Sequence, residues 1–369
     1  MGNTLYIIRN VLKRWTFVVP LLALATLGLA WGRQLPGVVV VLVALLLAGA
    51  VLAAVHHAEV IAHRVGEPFG SLVLAVAVTV IEVALIVSLM VSGGDQTASL
   101  ARDTVFAAVM ITCNGIVGLS LLTGTLRRRV AVFNAEGSGG ALATVATLST
   151  LSLALPTFTT SARGPAFSPA QLGFAAVVSL ALYGLFVLTQ TVRHRDYFLP
   201  VTPEGAEQAP AEHAPKPETS TAMASLGLLL TALVAVVGLA KVESPVIEAA
   251  VSSAGLPQAV VGVVIALLVL LPETIAAVRA ARRDQVQISL NLALGSAMAS
   301  IGLTIPAIAV ASIWLEGPLL LGLGATHLVL LGLTFVVTTL TVVPGRATLL
   351  QSGVHLVLFA AFLFLAISP

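Results

Sequence analysis

Stretches of about twenty consecutive apolar residues recur from one end of this 369-residue chain to the other, and about twenty is the number a helix needs to cross roughly 30 Å of hydrocarbon. In lipid every backbone polar group must be satisfied within the protein, so such segments are expected to be helices. Only 9% of the residues are charged and 58% are hydrophobic, whereas soluble domains carry about 25% charge to face water. The sequence therefore predicts an all-α membrane protein.

Reading apolar runs between charged or Gly/Pro breaks gives eleven transmembrane helices: 15–32, 36–62, 66–92, 103–126, 139–160, 168–192, 222–240, 257–280, 286–314, 319–343 and 349–368. The first follows Arg9, Lys13 and Arg14, lacks a clear A-x-A cleavage site and is followed at once by another span, so it reads as a retained helix rather than a signal peptide. With the N-terminus in the cytoplasm, fourteen of the eighteen basic residues fall inside and only Arg33, Arg102, Arg163 and Lys241 fall outside. That asymmetry satisfies the positive-inside rule and puts the C-terminus outside. Residues 201–221, rich in Pro, Ala and Glu, cannot bury apolar surface and read as a cytoplasmic tether. The expected organisation is an N-terminal segment with the first helix (1–35), a first repeat (36–192), a linker (193–221) and a second repeat (222–369).

The repeat itself is visible in spacing. Glu59, Gly66 and Pro68 recur as Glu248, Gly255 and Pro257 with the same intervals, and each Gly-x-Pro opens an apolar helix with one internal glutamate, Glu82 or Glu273. Arg102-Asp103 and Arg283-Asp284 then precede the next helix in each copy. Five spans per copy is an odd number, so the second copy is expected to be inverted in the membrane.

An acidic side chain at mid-bilayer costs about 2.5–3.5 kcal/mol on insertion scales, so Glu82 and Glu273 should face the bundle interior or a water-filled cavity. Desolvation favours the protonated carboxyl and a nearby cation favours the ionised one. Proton and metal therefore compete for the same oxygens, which is the chemistry that cation/proton antiport requires. A single buried glutamate is also explained as a helix-to-helix hydrogen-bond partner; its recurrence in both copies favours the functional reading. Oxygen donors suited to hard cations are Thr79, Thr112, Asn114, Ser289, Asn291 and Ser296, although small polar residues equally well join helices. Gly115, Gly118, Gly295 and Gly302 read as points of close helix approach.

His56, His57, Glu59, His63 and Glu67 cluster at the cytoplasmic end of the second helix. Their spacing is not that of a zinc hydrolase. A solvated cap is the simpler reading, with Glu59, His63 and Glu248 as the alternative proton relay or gate. A membrane metalloenzyme using His56, His57 and His63 has little support, and a channel with the glutamates as a selectivity ring is weakened by their placement in inverted copies. The arginine clusters 127–129 and 279–283 are expected to set orientation and meet lipid headgroups. Cys113 is the single cysteine and excludes an intramolecular disulfide; a net charge of +2 gives no ground for a nucleic-acid partner. Homo-oligomerisation stays open.

Three stretches, GEPFGSLVLAVAVTVIEVALIVSLM (66–90), ARDTVFAAVMITCNGIVGLSLL (101–122) and LPETIAAVRAARRDQVQISLNLALGSAMASIGLTIP (271–306), resemble the two α-repeats of the Ca2+/cation antiporter superfamily, in particular its bacterial ChaA-type sodium-calcium/proton antiporters. The resemblance implies an extra first helix before two inverted five-helix repeats, a place in the bacterial inner membrane, and alternating access around a midplane site. It assigns cation and proton binding to Glu82 and Glu273, with Asn114 and Ser296 on the helices that follow. Ca2+, Na+, K+ and H+ are then cargo, with no resident cofactor and no enzymatic step. Plant and yeast Ca2+/H+ exchangers carry G-N-x-x-E in both repeats; here Val78-Thr79 and Val269-Leu270 stand in place of Gly-Asn. Two amide oxygens are thereby lost, and Ca2+ takes 6–8 oxygen ligands, so strict Ca2+ selectivity is not implied and Na+ or K+ remains open.

Overall fold

A computed structural model describes residues 2–33, 35–66, 69–93, 98–201, 217–314 and 319–369, with side chains outside 2–14, 69–72, 92–93 and 248. Among the described residues thirteen α-helices follow one another: α1 (Gly2–Ala30), α2 (Gly37–Val65), α3 (Phe69–Gly93), α4 (Leu100–Met110), α5 (Val117–Arg128), α6 (Ala135–Ser149), α7 (Pro169–Leu188), α8 (Thr219–Ser253), α9 (Ala259–Val269), α10 (Leu271–Arg282), α11 (Val286–Ala311), α12 (Ala325–Val342) and α13 (Leu349–Ile367). Among the described residues nine helical stretches are long and apolar enough to cross a membrane. The pair α9–α10, bent by 51°, makes a tenth, and the apolar part of α1, Trp15–Ala30, is a shorter helix. These stretches coincide with the eleven expected spans. The chain is an all-α, multi-pass membrane protein.

Four expected helices are interrupted: span 139–160 passes through a π turn, Thr150–Ala154, into a 3-10 turn, Leu155–Thr157, span 168–192 ends in a π turn, Thr189–Arg193, and two more break near their middles. Span 257–280 breaks at Leu270 (φ −86°, ψ 0°) because Pro272 has no N–H to give to the preceding turn and its ring crowds the carbonyl four residues back. Span 103–126 contains a π turn, Ile111–Ile116, between α4 and α5. The repeated Gly-x-Pro element is seen at its glycines: Gly66 and Gly255 follow α2 and α8 and both take positive φ, 78° and 68°, a conformation glycine adopts without steric penalty. Pro68 and Glu67 lie outside the described residues, as does the side chain of Glu248. The fifth helix of each copy starts with the same device, a capping box of Ser168 with Gln171 at α7 and of Thr348 with Gln351 at α13, which satisfies otherwise orphaned N–H groups at a helix start.

The chain forms two compact units, Met1–Ser92 with His213–Ala250, and Gly93–Glu212 with Val251–Pro369. Each draws on both copies of the repeat. In the first unit α1 packs against α2. Arg64 donates to Thr219 Oγ1 at 2.7 Å at one end, while at the other Lys241 Nζ lies 5.7 Å from the centre of the Trp31 ring. Leu27 packs so closely on Gly238 that a Cβ there would meet it at 2.3 Å.

In the second unit the span 100–128 is the most deeply buried, held by α9, α10, α11 and α13. Its loops separate into two faces. On one, β1 (Val130–Val132) pairs antiparallel with β2 (Arg346–Thr348), with Ala131 opposite Ala347, and Arg128 pairs with Asp284. Gln287 accepts from the Asn134 amide at 2.6 Å on the same face, and Asn291 donates to the Phe198 carbonyl at 2.7 Å. On the other, the amides of Leu320, Gly322 and Leu323 donate to the carbonyls of Ala98, Pro165 and Leu153 at 2.9–3.0 Å, and Arg102 reaches the Gly322 carbonyl at 3.2 Å. Arg127, Arg128, Arg129 and Arg346 thus share one face and Arg102 and Arg163 the other, the partition that the charge count predicts.

Candidate functional site

Glu82 sits in the middle of α3, an unbroken apolar helix, and only 2% of it is exposed. Thr79, one turn earlier, is buried beside it on the same helical face. Glu59, His56 and His63 are exposed near the end of α2. His57 is buried; its Nε2 bonds the Thr16 carbonyl at 2.9 Å and its ring meets Phe17 edge-on. The histidine ties α2 to α1. Among the described residues no three His, Cys, Asp or Glu side chains gather to hold a metal ion.

In the second unit Glu273 occupies the first turn of α10, immediately after the break at Leu270, and is half-buried. Thr274 closes that turn, its hydroxyl and amide both donating to the Leu270 carbonyl at 2.7 and 2.9 Å. A helix N-terminus carries unpaired N–H groups and partial positive charge, so a carboxylate in that turn is electrostatically favoured. The second glutamate therefore differs in setting from Glu82, which has helix on both sides.

Asn114 lies in the π turn and is fully buried. Its Nδ2 donates to Thr334 Oγ1 at 2.9 Å, and its Oδ1 stands 3.3 Å from His355 Nδ1. Both ends of the amide are thus engaged by α12 and α13. Thr112 donates within its own helix, to Ala108 at 2.7 Å. Ser289 donates to the Ala277 carbonyl at 2.7 Å and pairs with Ser120, joining α5, α10 and α11. Asn291 holds Phe198 and Gln287. Thr112, Ser289 and Asn291 are thus each engaged in hydrogen bonds within the protein, while Ser296 is half-buried midway along α11. The glycines divide as well: a Cβ on Gly115, Gly118 or Gly302 would meet Phe359, Leu356 or Tyr183 at 3.4, 3.0 or 2.7 Å, so these admit a neighbouring helix, whereas Gly295 faces open space.

Three buried polar groups escape the spacing argument. His355 and Thr341, on α13 and α12, are buried and bonded to each other at 3.1 Å. Glu243 on α8 is 1% exposed. The signal for His355 and Glu243 was in the sequence, an ionisable residue within or beside an apolar helix, the rule that drew out Glu82. On the arginine-rich face a cavity of about 260 Å³ is lined by residues that include Glu136, Phe186, His194 and Tyr197. The Glu136 carboxylate raises the Tyr197 phenol above its ordinary pKa.

A family model described as sodium/calcium exchanger protein matches residues 35–192 and 224–368. The chain belongs to this family. Two curated relatives cover the exchanger almost end to end. One, from Sinorhizobium fredii, carries the name ionic transporter y4hA and is 48% identical over 359 residues, 96% of each chain. The other, the sodium-potassium/proton antiporter ChaA of Escherichia coli, is 34% identical over 367 residues, 98% of this chain and 99% of its own. Among solved structures the H+/Ca2+ exchanger CAX superposes with a TM-score of 0.71 at 16% identity, covering 95% of this chain and 88% of its own. Native YfkE gives 0.69 at 14%, covering 96% and 100%. At those identities the structures establish the exchanger fold. The exchanger is thus a member of the Ca2+/cation antiporter superfamily, a transporter and not an enzyme.

Proposed function

We propose that the protein is a secondary cation/proton antiporter that exports Na+, K+ or Ca2+ in exchange for H+, with Glu82 and Glu273 as the groups at which proton and cation compete. The observation that carries this reading is the recurrence of one buried or half-buried carboxyl in the corresponding span of each repeat, where burial favours the protonated form and a bound cation the ionised one. The Escherichia coli relative is named as a sodium-potassium/proton antiporter, and Val78-Thr79 and Val269-Leu270 offer fewer oxygens than a calcium cage needs. Monovalent cations are the favoured cargo on both grounds. The basic face of the second unit is read as cytoplasmic, which places the N-terminus inside and the C-terminus outside.

The test is exchange in proteoliposomes with an imposed pH gradient read by a quenched dye. Added Na+, K+ or Ca2+ should collapse the gradient for the unmodified protein, and Glu82→Gln or Glu273→Gln should abolish the response. Unimpaired exchange in both variants would sink the assignment, and current without proton counter-movement would indicate a channel instead.

A further inference from the structure

We propose that His355 is the positioning residue of the π turn that carries Asn114, and that through this turn it sets how tightly the exchanger holds its cation. The proposal rests on the exchange reading above. His355, Asn114 and Thr334 are fully buried, and Thr341 is nearly so, which leaves water no part in satisfying their polar atoms and makes donor and acceptor matching decisive.

The amide nitrogen of Asn114 points to Thr334 Oγ1 at 2.9 Å, so the end facing His355 is the carbonyl oxygen, an acceptor. His355 Nδ1 must then carry the hydrogen. In a neutral ring Nε2 is an acceptor, and the single hydroxyl hydrogen of Thr341 is shared between it, at 3.1 Å, and the Val337 carbonyl, at 2.9 Å. The hydroxyl of Thr334 is left to face Met110 Sδ at 3.5 Å. A chain of donors runs from His355 through Asn114 to Thr334 and Met110, with no charge required.

The turn is irregular in its backbone as well. In an α-helix the amide of Val117 would bond to the carbonyl of Cys113; here it goes to Asn114 and Thr112. Gly118 lets α13 approach this closely, since a Cβ there would stand 3.2 Å from the His355 Cβ. A side chain from α13 therefore holds the π turn at the amide of Asn114. Such turns survive only where the surroundings compensate their irregular bonding, and they concentrate at functional sites. Because α10, which carries Glu273, packs against this turn, the placement of Asn114 relative to Glu273 depends on His355.

The test uses the full-length protein in the same proteoliposomes, measuring apparent KM and maximum rate for whichever of Na+, K+ and Ca2+ the unmodified protein exchanges. His355→Leu should raise KM about fivefold, the scale of one lost hydrogen bond, with the maximum rate little changed. His355→Gln, whose amide can donate to Asn114 Oδ1, should restore KM to within about twofold, and the His355→Leu effect should vanish when Asn114→Ala is also present. Equal KM increases in the Leu and Gln variants, a fall in maximum rate alone, or additive effects in the double variant would overturn the proposal. Should His355→Leu not accumulate, His355→Ala takes its place in the same comparisons. An unmodified protein that leaves the pH gradient intact refutes the exchange reading itself and is scored before any variant.

Discussion

The guanidinium of Arg128 meets the carboxylate of Asp284 at 2.9 Å across 156 positions of sequence, joining the end of α5 to the turn between α10 and α11. The pair is exposed and by itself is worth about 0–1 kcal/mol. Its value is topological, because it fixes on one face two loops that a count of spans places on one side of the membrane.

Labelling from the two sides checks that partition. With Cys113 replaced by alanine, Arg128→Cys, Asp284→Cys and Arg346→Cys should share one accessibility, and Arg163→Cys should show the opposite. An impermeant maleimide applied to intact cells should modify the last and spare the first three, given a cytoplasmic N-terminus. Labelling of Arg128→Cys and Arg163→Cys from the same side would contradict the two faces.

Two glycines on α11 should respond in opposite directions to the same substitution. Gly302→Ala would set a Cβ 2.7 Å from that of Tyr183, and overpacking of this kind costs about 1–3 kcal/mol. Gly295→Ala meets nothing within 4 Å and should gain up to about 1 kcal/mol from helix propensity. Thermal unfolding in detergent, followed by tryptophan fluorescence, should show a lowered midpoint for the first and an unchanged or raised one for the second.

Gln287 is 1% exposed and bonds to Asn134, Ser138 and Asn291. Gln287→Leu keeps the volume and orphans buried partners, at about 1–3 kcal/mol. A clear drop in the detergent melting midpoint is expected, against a small one for Arg128→Ala on the same face; equal losses would mean that the buried network contributes no more than the exposed ion pair.

The spans, the repeat and the sidedness were legible because each rests on a one-dimensional property: apolar length, spacing, and the count of arginines per loop. Asn114, Thr112 and Ser289 were not separable by the same means. A polar side chain in an apolar helix reads identically whether it ligates an ion, bonds its own backbone as Thr112 does, or joins three helices as Ser289 does. The break at Leu270 was announced by Pro272, whereas the π turn at Ile111–Ile116 has no comparable marker, since what sustains it comes from Thr334 and His355, more than 200 residues later. The capping boxes at Ser168 and Thr348 follow the S/T-x-x-Q pattern and could have strengthened the repeat.

The two copies of the repeat place their irregularities differently. The first keeps Glu82 on an unbroken α3 and puts a π turn into its next span, while the second breaks beside Glu273 and runs straight through α11. Identical copies trading conformations would generate two mirror-image states of equal free energy. Under the proposed exchange, copies with unlike kinks have no such degeneracy, so the two access states would differ in free energy before any gradient exists. Under the proposed exchange the two directions of turnover would then differ in apparent affinity and maximum rate even at equal concentrations on both sides, while the direction of net flux stays with the gradients.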